Sequence, residues 1–384
     1  MKRWGLWTTG IALGLVLGVL VELGTQDAEP APMAVSGAAT TSLPPLATTS
    51  PGPTPTVAAA TEAPAWMHKL APGEKPPQFV LFSFDGAASK AHWDRVLPIA
   101  RKRGAHVTGL LSGVYLLADA DADLYTGPGH PQGKSSIGFG GTRADVAARI
   151  RYLNDAIAAG HEIGTHYNGH FCENDEPSVG RWDTAQWDSE LDQFFGLVDR
   201  ARQQGLQLDP KAVRGGRTPC LEGDWAKAIP AMRDHGLTYD TSQVSLGVQW
   251  PQVKDGVWEF PMPEVRVPAL GKQVVMMDYN LWYALDGADE KATGRTAEYT
   301  TVVLDTYRSV HQAALNGNRA PLVIGNHFND WAGGAFSNAV DTFLDEVCAA
   351  KDTVCATYTE VIQWMQLQDP EVLDQFRHMP AAMN

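Results

Sequence analysis

The sequence predicts an α/β fold, in the form of a largely parallel sheet or a (β/α) barrel. Short apolar runs typical of buried strands alternate with amphipathic segments of helical length between residues 78 and 369. Polar residues able to perform chemistry follow several of these runs directly. Because the carboxyl ends of parallel strands meet at one edge of a sheet, we expect these polar residues to share one cleft.

The strand predictions rest on short apolar runs. The first of them, 79–84, is apolar except for Ser83, as expected of a strand that is buried on both faces. The later runs are shorter. In chain order, the predicted strands are 79–84, 106–111, 213–215, 238–240, 258–260, 274–277 and 321–324.

Helices are predicted where apolar residues recur at helical spacing, most clearly over 186–204, whose large apolar residues fall on one face. The helix over 144–159 also has a start signal, because Thr142 can cap its first turn and Asp145 stands three residues on. In chain order, the predicted helices are 91–103, 144–159, 186–204, 301–315 and 338–349.

The first residues predict export. Lys2 and Arg3 precede an uncharged apolar run from residue 4 to residue 21. A run of this length suits a signal peptide and also a retained membrane anchor, so both remain open for residues 1–23. We therefore expect an extracellular or cell-envelope protein that contacts a membrane only through this N-terminal segment.

The composition divides the rest of the chain. Residues 24–77 are rich in Pro, Ala, Thr and Ser and are expected to form a disordered linker, because they hold too little apolar surface to fold. The globular domain is predicted over 78–369, and residues 370–384 are predicted to be a C-terminal tail. The oligomeric state is left open, with a monomer as the expectation.

The net charge limits the classes of binding partner. A charge of −14, from 30 Lys+Arg against 44 Asp+Glu, argues against a nucleic-acid partner. Binding to a phosphate backbone depends on neutralisation by Lys and Arg, and docking on anionic lipid has the same requirement. Neutral or cationic substrates fit this charge better.

The strongest local signal is a pair of histidines. His166 and His170 stand four residues apart, after a short apolar run. One helical turn would point both imidazoles the same way, which is how a protein offers two nitrogen ligands to a cation such as Zn²⁺. The alternative left open is a pair of structural histidines.

Three further polar residues end apolar runs. Asp85 closes the first run beside Gly86, and a buried carboxylate there needs a hydrogen bond or a nearby cation. Arg217 stands before a proline turn, where it can orient a carboxylate with two hydrogen bonds. His327 follows a late apolar run. Each residue alone fits an ordinary turn or loop, but together they indicate one cleft.

With these residues the sequence resembles the polysaccharide deacetylase family, the NodB homology domain of chitin and peptidoglycan deacetylases. The resemblance covers nearly all of 78–368 and implies a distorted (β/α) barrel. It also implies hydrolysis of acetyl groups on an N-acetylated or O-acetylated polysaccharide of the chitin, peptidoglycan or xylan type. The matching motifs, in order, are 83–86, 166–170, 217–219, 239–241 and 324–327.

Carried over residue by residue, the resemblance implies that Asp85 is the general base and that His166 and His170 are two zinc ligands. It implies that Arg217 positions the base and that His327 is the general acid. In such a site zinc polarises the acetyl carbonyl and lowers the pKa of a bound water. The base takes the proton of that water, and the acid protonates the leaving amine or alcohol. Asp240, in the fourth motif, is counted as a further catalytic candidate.

The sequence departs from the family pattern at Gly86, which matches the aspartate that supplies the third metal ligand. Tyr167 also stands where a small hydroxyl residue is usual. A catalytic zinc normally has three protein ligands and a water. Three readings stay open: Asp85 is the third ligand, a carboxylate within 173–176 supplies it, or the metal is weak or absent. In the last case the chain is a glycan-binding domain that has lost activity.

Cysteines and aromatic residues complete the predictions. Pairing of Cys348 with Cys355 would close a small loop, and pairing of Cys172 with Cys220 would connect the histidine and arginine loops. In a competing reading Cys172 is a zinc ligand and Cys220 is free. The aromatic residues that could stack on sugar rings, or else belong to the core, are Trp331, Tyr279 and Trp282.

Overall fold

Strands and helices alternate along the chain in the computed structural model, which describes residues 63–173, 175–290 and 294–384. The predicted export segment 1–23 and most of the predicted linker lie outside the described residues. The strands are β1 (Gln78–Gly86), β2 (Thr108–Leu111), β3 (Glu162–Thr165), β4 (Gly215–Gly216), β5 (Tyr239–Asp240), β6 (Val244–Leu246), β7 (Gln252–Lys254), β8 (Val257–Glu259), β9 (Met262–Val267), β10 (Lys272–Val275), β11 (Leu322–His327) and β12 (Thr353–Cys355). The helices are α1 (Lys90–Arg103), α2 (Arg143–Ala158), α3 (Thr184–Gln203), α4 (Trp225–Asp234), α5 (Asp278–Asp286), α6 (Thr296–Asn316), α7 (Trp331–Val347), α8 (Tyr358–Leu367) and α9 (Pro370–Arg377).

A curled sheet forms the centre of the domain. Its strand order is β11, β1, β2, β3, β4, β5, β8, β7, with β12 also paired to β1. Neighbouring strands are parallel except for β7 and β8. A smaller sheet of order β10, β9, β6 lies beside it, and a bridge from Met277 to Gly325 connects the segment after β10 to β11. The predicted α/β fold, a distorted (β/α) barrel, is confirmed.

The first strand lies between β11 and β2 inside the sheet, because nearly all of its residues are buried and most of them are apolar. A parallel strand needs a continuous apolar run, since helices cover both of its faces. β1 pairs with β11 so that Asp85 lies opposite His327. The residues that follow β3 and β4 are His166 and Arg217, so the polar strand ends meet at one edge of the sheet, as predicted.

Helix boundaries follow local capping chemistry. Thr142 accepts a hydrogen bond from the backbone N–H of Asp145, whose side chain accepts from the N–H of Thr142, and this predicted reciprocal cap begins α2. α7 begins seven residues before its predicted start at 338, because a turn over 332–334 with positive φ angles precedes its regular part.

The domain begins earlier than predicted. Trp66 packs edge-on against Phe79, with ring centroids 5.5 Å apart. The backbone N–H of Leu70 donates to the side chain of Gln368 at 2.9 Å. The predicted boundary at residue 78 is therefore wrong, because a Trp and a Leu near the end of a Pro-rich and Ala-rich segment bury apolar surface on the domain.

The domain also ends later than predicted. Residues 370–384 are not a detached tail, because Phe376 of α9 stacks on Trp250 with centroids 4.8 Å apart. Ala382 then exchanges backbone hydrogen bonds with Val248. The amphipathic pattern of α9 covers only a short helix. Such a helix is stable because its apolar face packs on the rest of the domain. Among the described residues, no helix is long and apolar enough to cross a bilayer.

Candidate active site

Asp85 and Arg217 form an ion pair beneath the sheet edge. Nη1 of Arg217 donates to Oδ1 of Asp85 at 2.8 Å, and the two side chains are 0% and 3% exposed. The same guanidinium donates to the hydroxyl of Ser83 and to the carbonyl of Thr241, both at 2.9 Å. Burial opposes ionisation of Asp85, but the positive charge of Arg217 outweighs it and lowers the pKa of Asp85. The carboxylate is therefore ionised and held in one orientation.

His327 is oriented by a buried carboxylate. Its Nδ1 lies 2.7 Å from Oδ1 of Asp278, and its backbone N–H donates to Oδ2 of the same residue at 2.7 Å. Burial favours the neutral ring, but Asp278 outweighs it and raises the pKa of His327. Because Nδ1 faces Asp278, Nε2 is the nitrogen available to a substrate.

For the acetate release that the sequence resemblance implies, we expect Asp278→Asn to lower kcat on the order of a hundredfold at neutral pH, because the acidic form of His327 loses its stabilising partner. Catalysis by an acid requires the protonated ring, so a lower pKa of His327 moves the alkaline limb of the kcat profile to lower pH. Measuring kcat against pH for both proteins tests this. Asp286→Asn, at the other end of α5, is the control. An unchanged alkaline limb would contradict the assignment.

The two histidines come together without a helical turn. Tyr167 and His170 both adopt a φ of 57°, so the segment after β3 is an irregular turn and the predicted helical geometry is wrong. The rings of His166 and His170 nevertheless lie 5.2 Å apart. Burial lowers the pKa of both rings, that of His170 to about 3, which leaves them in the neutral form that binds metals.

His166 presents one free nitrogen. Its Nδ1 lies 2.8 Å from the carbonyl oxygen of Arg217 and so donates to it. Its Nε2 is buried and has no hydrogen-bond partner among the described residues. A metal-binding histidine usually donates one ring N–H to a carbonyl or carboxylate in this way, and its other ring nitrogen binds the metal.

Glu190 of α3 supports the histidine turn, and the sequence reasoning missed it. Its buried carboxylate accepts hydrogen bonds from the N–H of Asn168 at 2.9 Å and from the hydroxyl of Tyr125 at 2.9 Å. Burial raises the pKa of Glu190 to about 7. The signal that could have identified it is an acidic residue on the apolar face of the helix predicted over 186–204, since a buried carboxylate needs such partners.

The two histidine rings can supply two protein ligands to a divalent cation. A catalytic zinc normally has three. Nε2 of His166 and the ring of His170 supply these two. Throughout the part of the chain that the structure describes, no carboxylate forms a close group of three ligand atoms with them. Neither Asp85 nor a carboxylate within 173–176 thus lies close enough to both histidines in this structure to complete such a group.

Gly86 is required by the local backbone. Its φ is 81°, a conformation that residues with a side chain rarely adopt. A Cβ added there would lie 3.7 Å from Cε2 of Tyr115. An aspartate in place of Gly86 would therefore strain the backbone at the end of β1.

Both predicted disulfides are confirmed. Cys348 and Cys355 have Cα atoms 5.5 Å apart, and Cys172 and Cys220 have Cα atoms 6.1 Å apart. Ligand atoms of His170, Cys172 and Cys220 lie within 4.8 Å of one another. The reading in which Cys172 binds zinc beside a free Cys220 is nevertheless wrong, because sulfurs joined in a disulfide are not thiolates.

Asp240 lies behind the site and does not line the cavity that holds the other candidates. It is buried, and its carboxylate accepts from the hydroxyl of Ser242 at 2.6 Å. The same hydroxyl oxygen accepts from the backbone N–H of Thr218, next to Arg217. Burial raises the pKa of Asp240 and of its neighbour Glu259. Its position is that of a residue that shapes the arginine loop, which differs from the predicted catalytic role.

Only one predicted aromatic residue has the position of a sugar platform. Trp331 is partly exposed and packs beside His327, with ring centroids 5.1 Å apart. Trp282 is 2% exposed and stacks on Trp331 at 5.2 Å, and Tyr279 meets Trp331 edge-on at 5.4 Å. The prediction that Trp282 stacks on sugar is wrong, because its faces are already covered by protein. Trp282 and Tyr279 support Trp331.

A cavity of about 360 Å³ joins the site residues. Its walls contain Asp85, His166, His170, His327 and Trp331. The polar strand ends that the sequence assigned to one cleft therefore do share one, apart from Arg217 and Asp240, which lie beneath it. The arrangement offers an ionised carboxylate, an imidazole with a raised pKa and two neutral imidazoles to a small substrate group.

Comparison with known proteins supports the fold. No protein-family model matches the sequence, and no curated protein is significantly similar to it. A candidate polysaccharide deacetylase from Mycobacterium smegmatis is 16% identical, with 82% of this chain and 98% of that chain covered and a TM-score of 0.50. A family 4 carbohydrate esterase from Streptomyces lividans is 13% identical (74% and 94% covered, TM-score 0.38). A family 4 pseudoenzyme from Bacillus anthracis is 12% identical (76% and 66% covered, TM-score 0.38).

The fold and the strand-end residues define an α/β protein built on a distorted (β/α) barrel. More particularly, the chain has the polysaccharide deacetylase fold, as the sequence resemblance implied. At this level of identity the likeness establishes the fold alone, and activity has to be argued from the site.

Proposed function

We propose that the protein is a hydrolase that removes acetyl groups from an N-acetylated or O-acetylated polysaccharide. The observation that carries the proposal is the pairing of Asp85 with His327 across β1 and β11, in one cavity. The environment of Asp85 favours the ionised form and that of His327 the protonated form. Two groups whose pKa values are shifted apart in this way are typical of a general base and a general acid.

The chain's own residues perform the proton transfers. Asp85, held by Arg217, takes a proton from the attacking water. His327, held by Asp278, gives a proton from Nε2 to the leaving nitrogen or oxygen. Trp331 covers one side of the cavity and presents a flat apolar surface, which suits a sugar ring.

A divalent cation belongs to the proposal. We assign its two protein ligands to His166 and His170, and zinc suits such nitrogen donors. When bound, the cation would supply a Lewis acid for the acetyl carbonyl. The site offers one protein ligand fewer than usual, so we expect weaker binding than in a site with three.

We expect equilibrium titration to show one zinc ion bound per chain, and His170→Gln to weaken that binding at least about tenfold by removing one of two protein ligands. Chelation should abolish acetate release, and added zinc should restore it. His378→Gln changes an exposed histidine directly after α9 and is the control. Full acetate release by protein freed of metal would show that the reaction needs no cation.

A glycan-binding domain without activity is the second candidate, and Gly86 favours it because the third metal ligand is missing. Acetate release from chitin oligomers, peptidoglycan and acetylated xylan separates the two. Binding to such a glycan without acetate release from any of them would establish the second candidate and overturn the first.

We also propose that the protein acts outside the cytoplasm. The two disulfides support this, since disulfides persist in oxidising compartments and are rare in the cytosol. The apolar run after Lys2 and Arg3 in the sequence supports it as well. Fractionation of the native host, with the protein detected by antibody, tests the location.

A further inference from the structure

An arginine outside the catalytic group lies in the wall of the same cavity. Arg149 of α2 is half-buried and faces the cavity that holds Asp85 and His327. Its Nη1 donates to the carbonyl oxygens of Tyr115 and Gly140, at 2.6 and 3.0 Å. These bonds, to groups without charge, hold the guanidinium in one place.

A third hydrogen bond fixes the Nε edge of the Arg149 guanidinium. Nε of Arg149 donates to the hydroxyl of Tyr152 at 3.1 Å, and that hydroxyl in turn donates to the carbonyl of Ala88. Among the described residues, no hydrogen bond is made by Nη2 of Arg149, and no Asp or Glu forms an ion pair with it. The carboxylate of Asp145, one turn earlier, caps α2 with Thr142. Its pKa is lowered mainly by these hydrogen bonds and less by the charge of Arg149.

Among the described residues no carboxylate in the cavity pairs with Arg149, whose guanidinium carbon lies 5.7 Å from the ring centroid of Tyr115. The carboxylate of Asp85 is matched by Arg217, and the ring of His327 is matched by Asp278. A fixed positive charge thus remains in the wall of a cavity in a protein of net charge −14. Holding a partly buried cation without a counterion costs stability, so its position points to a ligand that supplies the negative charge.

A second observation points to an unfilled polar partner. The hydroxyl of Ser112 is buried, lines the same cavity, and has no hydrogen-bond partner among the described residues. Buried polar groups are almost always hydrogen-bonded, so an unpartnered one at a cavity wall indicates a place for a polar ligand atom. The N–H groups on Nη2 of Arg149 make no hydrogen bond among the described residues, so they can donate to an oxygen of an anion.

We propose that Arg149 is a specificity-determining residue that binds a carboxylate on the substrate. The substrate class is then an acetylated polysaccharide that also carries acidic sugars, as opposed to a neutral chitin-like or xylan-like chain. This inference rests on the proposed function, because the carboxylate is placed beside the sugar whose acetyl group reaches Asp85. Arg149 itself takes no part in proton transfer.

The test compares two matched substrates, an acetylated oligosaccharide that contains uronic acid and the same compound with its carboxyl groups reduced to alcohols. For the unmodified protein we expect a KM at least about tenfold lower for the acidic compound, since a hydrogen bond to a charged group is worth at least that factor. Arg149→Gln should bring the two KM values together. Arg149→Lys, which keeps the charge and loses the planar fork, should give an intermediate preference.

Arg143→Gln is the matched control, because Arg143 lies on the same helix but pairs with Asp121 and is 72% exposed. It should leave the preference unchanged. Thermal unfolding of each variant shows whether the lost bonds to Tyr115 and Gly140 have disturbed the fold. If Arg149→Gln does not fold, the Lys variant and the preference of the unmodified protein still decide the matter.

Equal KM values for the unmodified protein, or a preference that survives in Arg149→Gln, would overturn the inference. A lack of acetate release from every glycan would instead count against the proposed function. In that case, equilibrium binding of the two oligosaccharides to the unmodified protein still tests the inference. Tighter binding of the acidic compound, lost in Arg149→Gln, supports it, and equal binding overturns it.

Discussion

Asp85→Asn is expected to lower kcat for acetate release by about a hundredfold or more, with a smaller effect on KM. An amide has nearly the shape of the carboxylate but cannot take a proton from water, and general base catalysis contributes a factor of this size. Because the pKa of Asp85 is lowered, the unmodified base stays ionised into the acid range. The measurement is initial-rate acetate release with an acetylated oligosaccharide over a range of concentrations.

The control for Asp85→Asn is a carboxylate in a surface ion pair. Asp345→Asn removes a charge that Arg103 contacts at 2.8 Å, on the outside of the domain, and should leave kcat unchanged. Asp85→Asn also leaves Arg217 without its counterion, so unfolding has to be followed in parallel. Folded Asp85→Asn protein that keeps full kcat would exclude Asp85 as the base.

Arg217→Met is expected to lower the free energy of unfolding by about 3–5 kcal/mol, because it leaves the carboxylate of Asp85 buried and unpaired. The two side chains are 0% and 3% exposed, so water cannot take the place of the arginine. Denaturant unfolding followed by fluorescence measures the difference. The pKa of Asp85 is lowered in the folded protein, so the stabilisation is present above the ordinary carboxylate pKa. It is lost as the pH falls through the folded value.

A matched substitution separates this effect from the loss of any arginine. Arg308→Met removes an ion pair with Glu346 in which both side chains are about half-exposed, and such pairs contribute less than about 1 kcal/mol. The double variant with Asp85→Asn and Arg217→Met should recover part of the loss, since no lone charge remains buried. Equal losses for Arg217→Met and Arg308→Met would contradict the account of the buried pair.

Local sequence patterns predicted the strand ends because each pattern lies within a few consecutive residues and needs no contact with distant segments. The short apolar run of β1 is typical of a buried strand, and Asp85 follows it at once. The same reasoning placed His166 after β3 and His327 at the end of β11. A parallel sheet then brings these ends to one edge whatever the connecting helices contain, so the cleft could be predicted without knowledge of the packing.

Contacts between distant segments could not be predicted in this way. Asp278 follows a predicted strand, but nothing local shows that it faces His327, 49 positions later. Glu190 could have been suspected from its apolar surroundings, but its partners on the histidine turn are set by how α3 packs. The domain ends were misplaced for the same reason. Trp66 and Phe376 are isolated apolar residues in their segments, and only the fold shows what they pack against.

The sequence by itself predicted the fold class and the histidine pair from runs and spacings within a few residues. Its resemblance to polysaccharide deacetylases implied the base and acid candidates. The even number of cysteines allowed the two disulfides without fixing which cysteines pair. The tertiary structure decided which ionisable groups face each other, and so the direction of each pKa shift. It also showed that Arg149 lies in the cavity wall and forms no ion pair with another described residue. Net charge is a sum over the whole chain, whereas a substrate meets the few charges that the fold brings within reach of it.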